Sequence, residues 1–248
     1  MKITPLKTRK ITRDDDNLFE LLDKYIKRLN EKSIVAVTSK IVSICERSVI
    51  KIGQEDKINL IKQEAEYFIP AEKNKYKITL TIKRGMLVPT AGIDESNGNG
   101  YYILWPKNPQ NTANRIREYL KKKFKLKKFG VIITDSKTAP LRWGTSGFTL
   151  AHSGFRALND YIGKPDIFGR PLRVTKANIL DGLAASAVIC MGEGKEQTPL
   201  AIIEDLAFVR FQERNPTEKE IKELKISLTD DLYAPLLNSV KWTKGKQD

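Results

Sequence analysis

Apolar residues recur along the chain with two different spacings, and these spacings separate predicted helices from predicted strands. Helical spacing follows the acidic run at residues 14–17 and continues to residue 29, and it recurs at residues 56–68 and 112–124. Runs typical of strands lie at residues 33–38, 76–82, 101–105, 129–134, 148–151 and 200–203. Because the two kinds of element alternate irregularly, we predict an α/β or α+β fold with a mixed sheet.

Glycines and prolines interrupt the second half of the chain more often. For residues 154–170 we predict a short helix and a loop. A strand-to-helix passage is predicted from Val174 to the turn at residues 191–194, and terminal helices are predicted at residues 217–226 and 231–240. The continuous apolar strand at residues 129–134 is expected to be buried on both faces.

Composition places the chain among globular proteins with an anionic partner. Its 248 residues are 40% apolar and 30% charged, which is enough to bury a core. We expect one main domain at residues 1–210 and a helical extension at residues 211–248. The net charge of +14 indicates nucleic acid, a nucleoside triphosphate or a polycarboxylate as the partner.

The sequence shows no pattern of secretion or membrane insertion. The first residues lack an apolar signal segment, and the longest apolar stretch, residues 177–191, is too short to span a bilayer. Cys45 and Cys190 lack the spacing of a zinc or redox site, so we predict buried, reduced thiols. We expect a cytoplasmic protein.

Three carboxylates interrupt small or apolar stretches of this basic chain. Asp94 follows Ala-Gly-Ile, Asp135 ends the apolar strand pattern, and Glu193 lies between two glycines after a predicted helix. Such positions are unfavourable for a carboxylate unless a positive charge meets it. Oxygen ligands suit a hard divalent cation, which often serves phosphate chemistry. Turns or helix caps are the alternative for Asp94 and Asp135.

Phosphate binding is the second chemistry that the sequence indicates. Thr38, Ser39 and Lys40 follow the first buried strand pattern, where hydroxyls, amides and an ammonium suit a phosphate. A helix cap with an exposed lysine is the alternative. Neither G-x-x-x-x-G-K-[ST] nor G-x-G-x-x-G occurs, so a nucleotide would need another kind of site.

Other charged and aromatic residues have weaker patterns. Arg142 and Trp143 could clamp a planar anion, with ordinary packing as the alternative. His152, the only histidine, could contact a substrate, although a satisfied core histidine is more common. The lysine-rich run at residues 121–128 could bind nucleic acid. The spacing of Phe124 and Leu126 instead favours apolar side chains that pack inward, with the lysines exposed to solvent.

Five segments, taken together and in this order, resemble the coenzyme F420-0:L-glutamate ligase family over about residues 5–205. They are VTSKIVS at residues 37–43, AGIDESN at 91–97, GVIITDS at 130–136, the stretch from Gly163 to Arg170, and MGEG at 191–194. Each motif alone is weak, whereas their ordered co-occurrence is specific.

The resemblance implies a ligase without a P-loop that adds L-glutamate through γ-amide linkages, with GTP as cosubstrate. It implies two divalent cations, Mg²⁺ or Mn²⁺, with K⁺ as a further candidate, and an intertwined homodimer. The implied metal ligands are Asp94, Asp135, Ser136 and Glu193, of which Asp135 and Glu193 act in catalysis through the metal. The implied nucleotide contacts are Ser39, Lys40, Asn97, Met191, Gly192 and Gly194; Arg142, Trp143 and His152 are candidate contacts of the substrate.

Two stretches differ from the family pattern and leave the acceptor open. Residues 44–47 read Ile-Cys-Glu-Arg and lack one basic residue that is usual in the family. Residues 138–139 read Thr-Ala where the family often has Gly-Arg. The acceptor is therefore expected to be the deazaflavin F420-0 or a folate-like pterin. A basic nucleic-acid-binding protein and a non-catalytic nucleotide-binding module are the alternatives from other classes.

Overall fold

The computed structural model describes residues 1–15 and 17–246. Asp16, one residue of the acidic run predicted to begin the first helix, lies outside the described residues. The helices are α1 (Leu18–Tyr25), α2 (Ser39–Cys45), α3 (Lys57–Glu64), α4 (Pro109–Lys123), α5 (Ile179–Met191), α6 (Glu218–Lys222) and α7 (Ala234–Leu237). The strands are β1 (Lys2–Leu6), β2 (Ile34–Thr38), β3 (Val49–Lys51), β4 (Tyr67–Ile69), β5 (Leu80–Lys83), β6 (Met86–Pro89), β7 (Tyr101–Ile103), β8 (Gly130–Thr138), β9 (Thr145–Ser153), β10 (Leu158–Asp160), β11 (Lys176–Asn178), β12 (Leu200–Glu204) and β13 (Thr243–Lys244).

A five-stranded sheet lies at the centre of the described chain, in the order β1-β12-β2-β8-β9. Strands β2 and β8 run parallel, and the other neighbours in this sheet run antiparallel. The predicted α/β class with a mixed sheet is therefore confirmed.

Both faces of this sheet are buried. Because successive side chains of a strand point to opposite faces, Val131 and Ile133 join the core beneath α1 and α4, while Ile132 joins the core beneath α5. The apolar helix α5 is capped by Asn178, whose side chain accepts a hydrogen bond from the amide of Asp181. The prediction that the strand at residues 129–134, now β8, is buried on both faces is confirmed.

A smaller sheet, in the order β13-β4-β5-β6, packs beside the first one. Its own core includes Leu60 and Ile61 of α3 and Phe68 of β4. Val88 of β6, Trp105 and Phe148 of β9 form a separate cluster that joins the two sheets. This junction lies directly behind the strand that carries Asp135.

The predicted helix at residues 56–68 is wrong in its second half. Asp56 caps α3 as its side chain accepts from the Asn59 amide, but the helix ends at Glu64 and Ala65 is extended. Tyr67 to Ile69 form β4 instead, pairing with β5. Two β-favouring aromatic residues and a paired neighbour outweigh the helical spacing. The first helix ends earlier than predicted, at Tyr25, and β5 covers only the end of the strand expected at residues 76–82.

The predicted short helix within residues 154–170 is also wrong. That stretch contains β10 and turns, and Gly154, Gly163 and Gly169 adopt positive φ angles, which a helix does not accept. The Asp166 side chain closes one turn by accepting from the amides of Phe168 and Arg170. The terminal helices are shorter than predicted, as α6 and α7, and β13 then returns to pair with β4. The division of the chain near residue 210 stays a prediction.

Three further expectations can be compared with the structure. Leu126 is buried and the lysines at 122, 123, 125, 127 and 128 are exposed, which confirms the inward packing predicted for the basic run; the nucleic-acid alternative also has exposed lysines and stays a prediction. Cys45 is buried as predicted, but Cys190 is exposed, because it lies on the outer face of α5. Strand β8 continues past Asp135 to Thr138, since β9 pairs with it beyond the end of β2.

Candidate active site

A cavity of about 490 Å³ opens where β2 ends beside β8. Its lining residues come from five segments, within residues 8–12, 38–44, 94–99, 134–136 and 188–199. Most of the predicted site residues lie here; they are Lys40, Asp94, Asn97, Asp135, Ser136, Met191, Gly192, Glu193 and Gly194. The fold thus gathers motifs that are far apart in the sequence.

Asp94 and Lys40 form an ion pair at the cavity wall. Lys40 Nζ lies 2.6 Å from Asp94 Oδ2 and also donates to the carbonyl oxygen of Ser96 at 3.0 Å. The Ser96 amide donates to Asp94 Oδ1 at 2.8 Å, which gives the local turn that was the alternative interpretation. Burial acts to raise the pKa of Asp94, but the bonds and charge of Lys40 outweigh it, so the pKa is lowered. Asp94 is therefore ionised at neutral pH.

Asp135 has a very different environment. It lies within β8, just past the last residue of β2 and next to a β-bulge between β8 and β9. The Trp105 indole N–H donates to Asp135 Oδ2 at 2.5 Å, and the Ser136 amide donates to Oδ1 at 2.9 Å. Burial raises the pKa of Asp135 to about 6, and the negative charge of Asp94 adds to the effect. No cation among the described residues forms an ion pair with this carboxylate, so a positively charged ligand would stabilise it.

Glu193 extends from the turn that follows α5. It accepts hydrogen bonds from Ser136 Oγ at 3.2 Å and from Thr145 Oγ1 at 3.3 Å. Asn97 joins the same turn from the opposite loop, since its Nδ2 donates to the Gly194 carbonyl at 3.1 Å. Hydrogen bonds thus link Ser136 to Glu193 and Asn97 to Gly194, so the turn at residues 193–194 contacts two other walls of the cavity.

These oxygen donors fit a hard cation that keeps open coordination positions. Within the described residues, no three His, Cys, Asp or Glu side chains come close enough to enclose one metal ion. Mg²⁺ usually takes only one or two carboxylates and completes its shell with water and substrate phosphates. Asp94 and Asp135 act on each other electrostatically, and Ser136 connects Asp135 to Glu193. This arrangement suits cations that also bind phosphate oxygens.

The cavity includes basic residues that the sequence analysis missed. Its charged lining residues are Arg9, Lys10, Lys40 and Lys195 against Asp94, Asp135, Glu193 and Glu196. Arg9 and Lys10 follow β1, an edge strand that we did not predict because Pro5 and the flanking lysines obscure its pattern. The four basic and four acidic side chains balance, so the net charge of +14 resides elsewhere on the molecule.

Four predicted residues do not line the cavity. Ser39 is buried in the first turn of α2. Arg142 and Trp143 lie in the turn between β8 and β9, where Trp143 is 91% exposed and touches Tyr76 edge to face. His152 is buried on β9 against Phe155. Their assignments as nucleotide or substrate contacts stay predictions.

The chain is similar to known proteins over most of its length. A sequence profile described as F420-0:gamma-glutamyl ligase matches residues 5–205. Relatives named coenzyme F420:L-glutamate ligase occur in Methanococcus maripaludis strain C7, with 35% identity over 207 residues covering 77% of this chain and 82% of the relative, and in Methanocaldococcus jannaschii, with 35% identity over 204 residues covering 75% and 80%. The relative of the same name in Archaeoglobus fulgidus is 28% identical over 221 residues, which cover 83% and 88%.

Among the described residues, no helix combines the length and apolarity needed to cross a bilayer. The matched region contains each of the five motifs and the whole cavity, from Thr8 to Pro199. The chain belongs to the F420-0:gamma-glutamyl ligase family.

Proposed function

We propose that this chain is a GTP- and divalent-metal-dependent ligase that joins L-glutamate to coenzyme F420-0, or to a related acceptor, by a γ-glutamyl amide bond. Family membership supports a glutamate ligase, and relatives that carry the name coenzyme F420:L-glutamate ligase support the acceptor. The observation that carries the proposal is that Asp94, Asp135 and Glu193 line one cavity together with Lys40.

Amide formation needs an activated carboxyl group. In the proposed reaction the γ-phosphoryl group of GTP passes to a carboxylate oxygen of the acceptor, giving an acyl phosphate and GDP. The amine nitrogen of L-glutamate then attacks the acyl carbon, the bond from that carbon to the phosphate oxygen breaks, and the nitrogen loses a proton as inorganic phosphate leaves. Both steps depend on positioning and charge stabilisation, so they need no nucleophilic side chain.

The cavity residues have separate roles in this proposal. Lys40, already placed between Asp94 and Ser96, would contact phosphate oxygens. Asp94, Asp135 and Glu193 would hold the divalent cations, with Ser136 beside them. A divalent cation, when bound, neutralises the charge that develops during phosphoryl transfer. Because the cavity's own charges balance, a triphosphate would enter it most favourably together with such cations.

Mass spectrometry can test both the reaction and the acceptor. The protein is incubated with L-glutamate, GTP and Mg²⁺, with either F420-0 or tetrahydrofolate as acceptor. We expect F420-0 to gain the mass of a glutamyl unit, while a gain on tetrahydrofolate alone would establish the folate alternative. GTP binding without product on either acceptor would contradict the proposal and favour a non-catalytic nucleotide-binding module.

Replacing Asp135 separates the metal role from folding. Asp135→Asn keeps the shape and the acceptor oxygen for Trp105 but removes the charge, so we expect turnover to fall by on the order of 100-fold or more while the protein stays folded. Asp160→Asn is the matched control, because Asp160 lies on β10 outside the cavity and pairs with Lys176 at its surface. Equal activity of the two variants in the mass assay would refute the role of Asp135.

We also propose that the protein forms a homodimer. Several large apolar side chains are almost fully exposed in the single chain; they are Leu141, Trp143, Ile167, Phe168 and Val174. They lie in two loops, at residues 141–143 and 167–174, and loops that expose several large apolar side chains are typical of an interaction surface. A second copy of the chain would cover it.

A further inference from the structure

Lys83 is among the largest side chains that are fully buried in the described chain, with only 1% of its surface exposed. An ammonium in the interior loses its hydration and needs compensation. Burial lowers the pKa of Lys83, and the negative charge of Glu64 acts against this shift. A charge retained at such a position demands an explanation beyond packing.

Three contacts fix the Lys83 ammonium. It lies 2.6 Å from Glu64 Oε2 and donates to the Ala91 carbonyl oxygen at 3.3 Å. It also lies over the ring of Trp105, 5.1 Å from the ring centroid, which is the geometry of a cation–π interaction. Lys83 does not line the cavity, so it has no direct contact with a ligand there.

The Trp105 ring leads from Lys83 to the cavity. Its indole N–H donates to the Asp135 carboxylate. The ring is closely confined, because a Cβ atom added at Gly92 would lie only 2.2 Å from its Cε2 and Nε1 atoms. Phe148 also packs against this ring, with ring centroids 6.1 Å apart. The indole therefore has little freedom to point its N–H elsewhere.

Lys83 also supports the loop that carries Asp94. Thr90 and Ala91 both have a φ of +52°, a left-handed conformation that is costly for residues other than glycine. The hydrogen bond from Lys83 to the Ala91 carbonyl stabilises this strained turn, which lies three residues before Asp94. One buried ammonium thus contacts both structures that present the two aspartates.

We propose that Lys83 is a positioning residue: it holds the Trp105 indole so that its N–H fixes the Asp135 carboxylate, and it holds the turn before Asp94. A cation over the face of an indole draws electron density from the ring, which makes the N–H a stronger donor. Removing the charge weakens the bond to Asp135 without altering any cavity-lining side chain. The kinetic part of this inference rests on the proposed function.

The indole N–H gives a direct test that needs no substrate. The chain has three tryptophans, so the ¹⁵N-labelled protein should show three indole signals in NMR spectra, and Trp105→Phe identifies the one from Trp105. In Lys83→Met we expect the proton of that signal to move upfield, as its hydrogen bond weakens, while the other two stay in place. If Lys83→Met does not fold, the double variant Lys83→Met/Glu64→Gln removes both charges of the pair.

Lys123→Met is the matched control. Lys123 also pairs with an acid, Asp23 at 2.5 Å, and lies 5.5 Å from the Phe124 ring centroid, but it belongs to the exposed end of α4. This variant should leave all three indole signals and the turnover number unchanged. An upfield shift of the Trp105 signal in Lys123→Met as large as that in Lys83→Met would overturn the proposal.

Kinetics supply the second readout. We expect Lys83→Met to lower kcat by about tenfold or more, as for other residues that support metal ligands, with the KM for L-glutamate close to that of the unaltered protein. A folded Lys83→Met protein with an unmoved Trp105 signal and normal kcat overturns the inference. The two proposals fail separately: absence of product from the unaltered protein refutes the proposed ligase, whereas an unmoved indole signal refutes the role of Lys83.

Discussion

His152 is almost fully buried and packs edge to face against Phe155, 5.5 Å between ring centroids. Burial lowers its pKa from 6.5 to about 4, and the charge of Glu220 opposes this only in part. The ring is thus neutral at physiological pH. A neutral interior ring away from the cavity agrees with the core histidine that the sequence offered as the commoner alternative.

This histidine predicts a pH-dependent stability. The unfolded chain takes up the proton near pH 6.5, but the folded protein does so only near pH 4, so a falling pH in this window favours unfolding. We expect His152 to cost the folded state on the order of 3 kcal/mol between pH 7 and pH 4. Urea unfolding measures the free energy of unfolding of the unaltered protein and of His152→Leu at both pH values. The difference between their two pH dependences is the contribution of His152, because all other titrating groups are shared. An identical pH dependence in both proteins would contradict it.

At the residue scale, sequence reasoning found the acids of the site but not what holds them. Asp94, Asp135 and Glu193 stand out because each interrupts its own neighbours in the chain. Trp105 and Lys83 do not stand out, because their importance comes from Asp135 and Ala91, which are neighbours only after folding. A local sequence pattern can show that a carboxylate lies in unfavourable apolar surroundings. It cannot show which residue, distant in the sequence, stabilises that carboxylate in the folded protein.

At the element scale, Arg117 of α4 ties three parts of the chain together. It is 2% exposed, and its guanidinium donates to the carbonyls of Phe129 and Gln212 and to the side chain of Asn215. Burial lowers its pKa. Through these bonds the helix holds the start of β8 and the first part of the C-terminal segment in one arrangement.

Arg117→Met should release that segment. The change keeps most of the buried stem but leaves the Phe129 and Gln212 carbonyls without this donor, so we expect a loss of about 2–4 kcal/mol in the free energy of unfolding. Hydrogen exchange should become faster at residues 212–217. Arg214→Met is the control, since Arg214 pairs with Glu220 at the surface and its loss should lower the free energy of unfolding far less. Equal losses in the two variants would show that burial of Arg117 does not matter.

Elements with a strong local pattern were predictable, and those defined by pairing were not. The sequence correctly predicted the central residues of five elements, namely β2, β8, β12, α4 and α5. Each of them buries apolar residues that are either continuous or periodic in the sequence. Strand β4 was predicted as helix and β1 was missed, since β4 pairs with β13 and β1 with β12, strands that are remote in sequence. Turns that use the Asp166 side chain replaced the helix expected after Gly154.

At the scale of the whole molecule, the exposed apolar residues predict self-association. Phe168 is 89% exposed, and Phe168→Asp would place a charge in the proposed dimer interface. We expect the unaltered protein to have the mass of two chains by light scattering, and the variant to dissociate at least about tenfold more readily. Leu232→Asp is the control, because Leu232 is 86% exposed but is not among the residues proposed for the interface. A monomeric unaltered protein at high concentration would refute the dimer.

Strand β12 lies between β1 and β2, although it is synthesised long after both of them. During translation, β1 and the cavity residues that follow it have no sheet neighbour until β12 leaves the ribosome. The opposite wall, within residues 188–199, comes immediately before β12 in the chain. Both walls are therefore put in place by the same late event, so a chain that stalls before β12 would keep the β2 and β8 residues of the cavity but lack the two walls that enclose them.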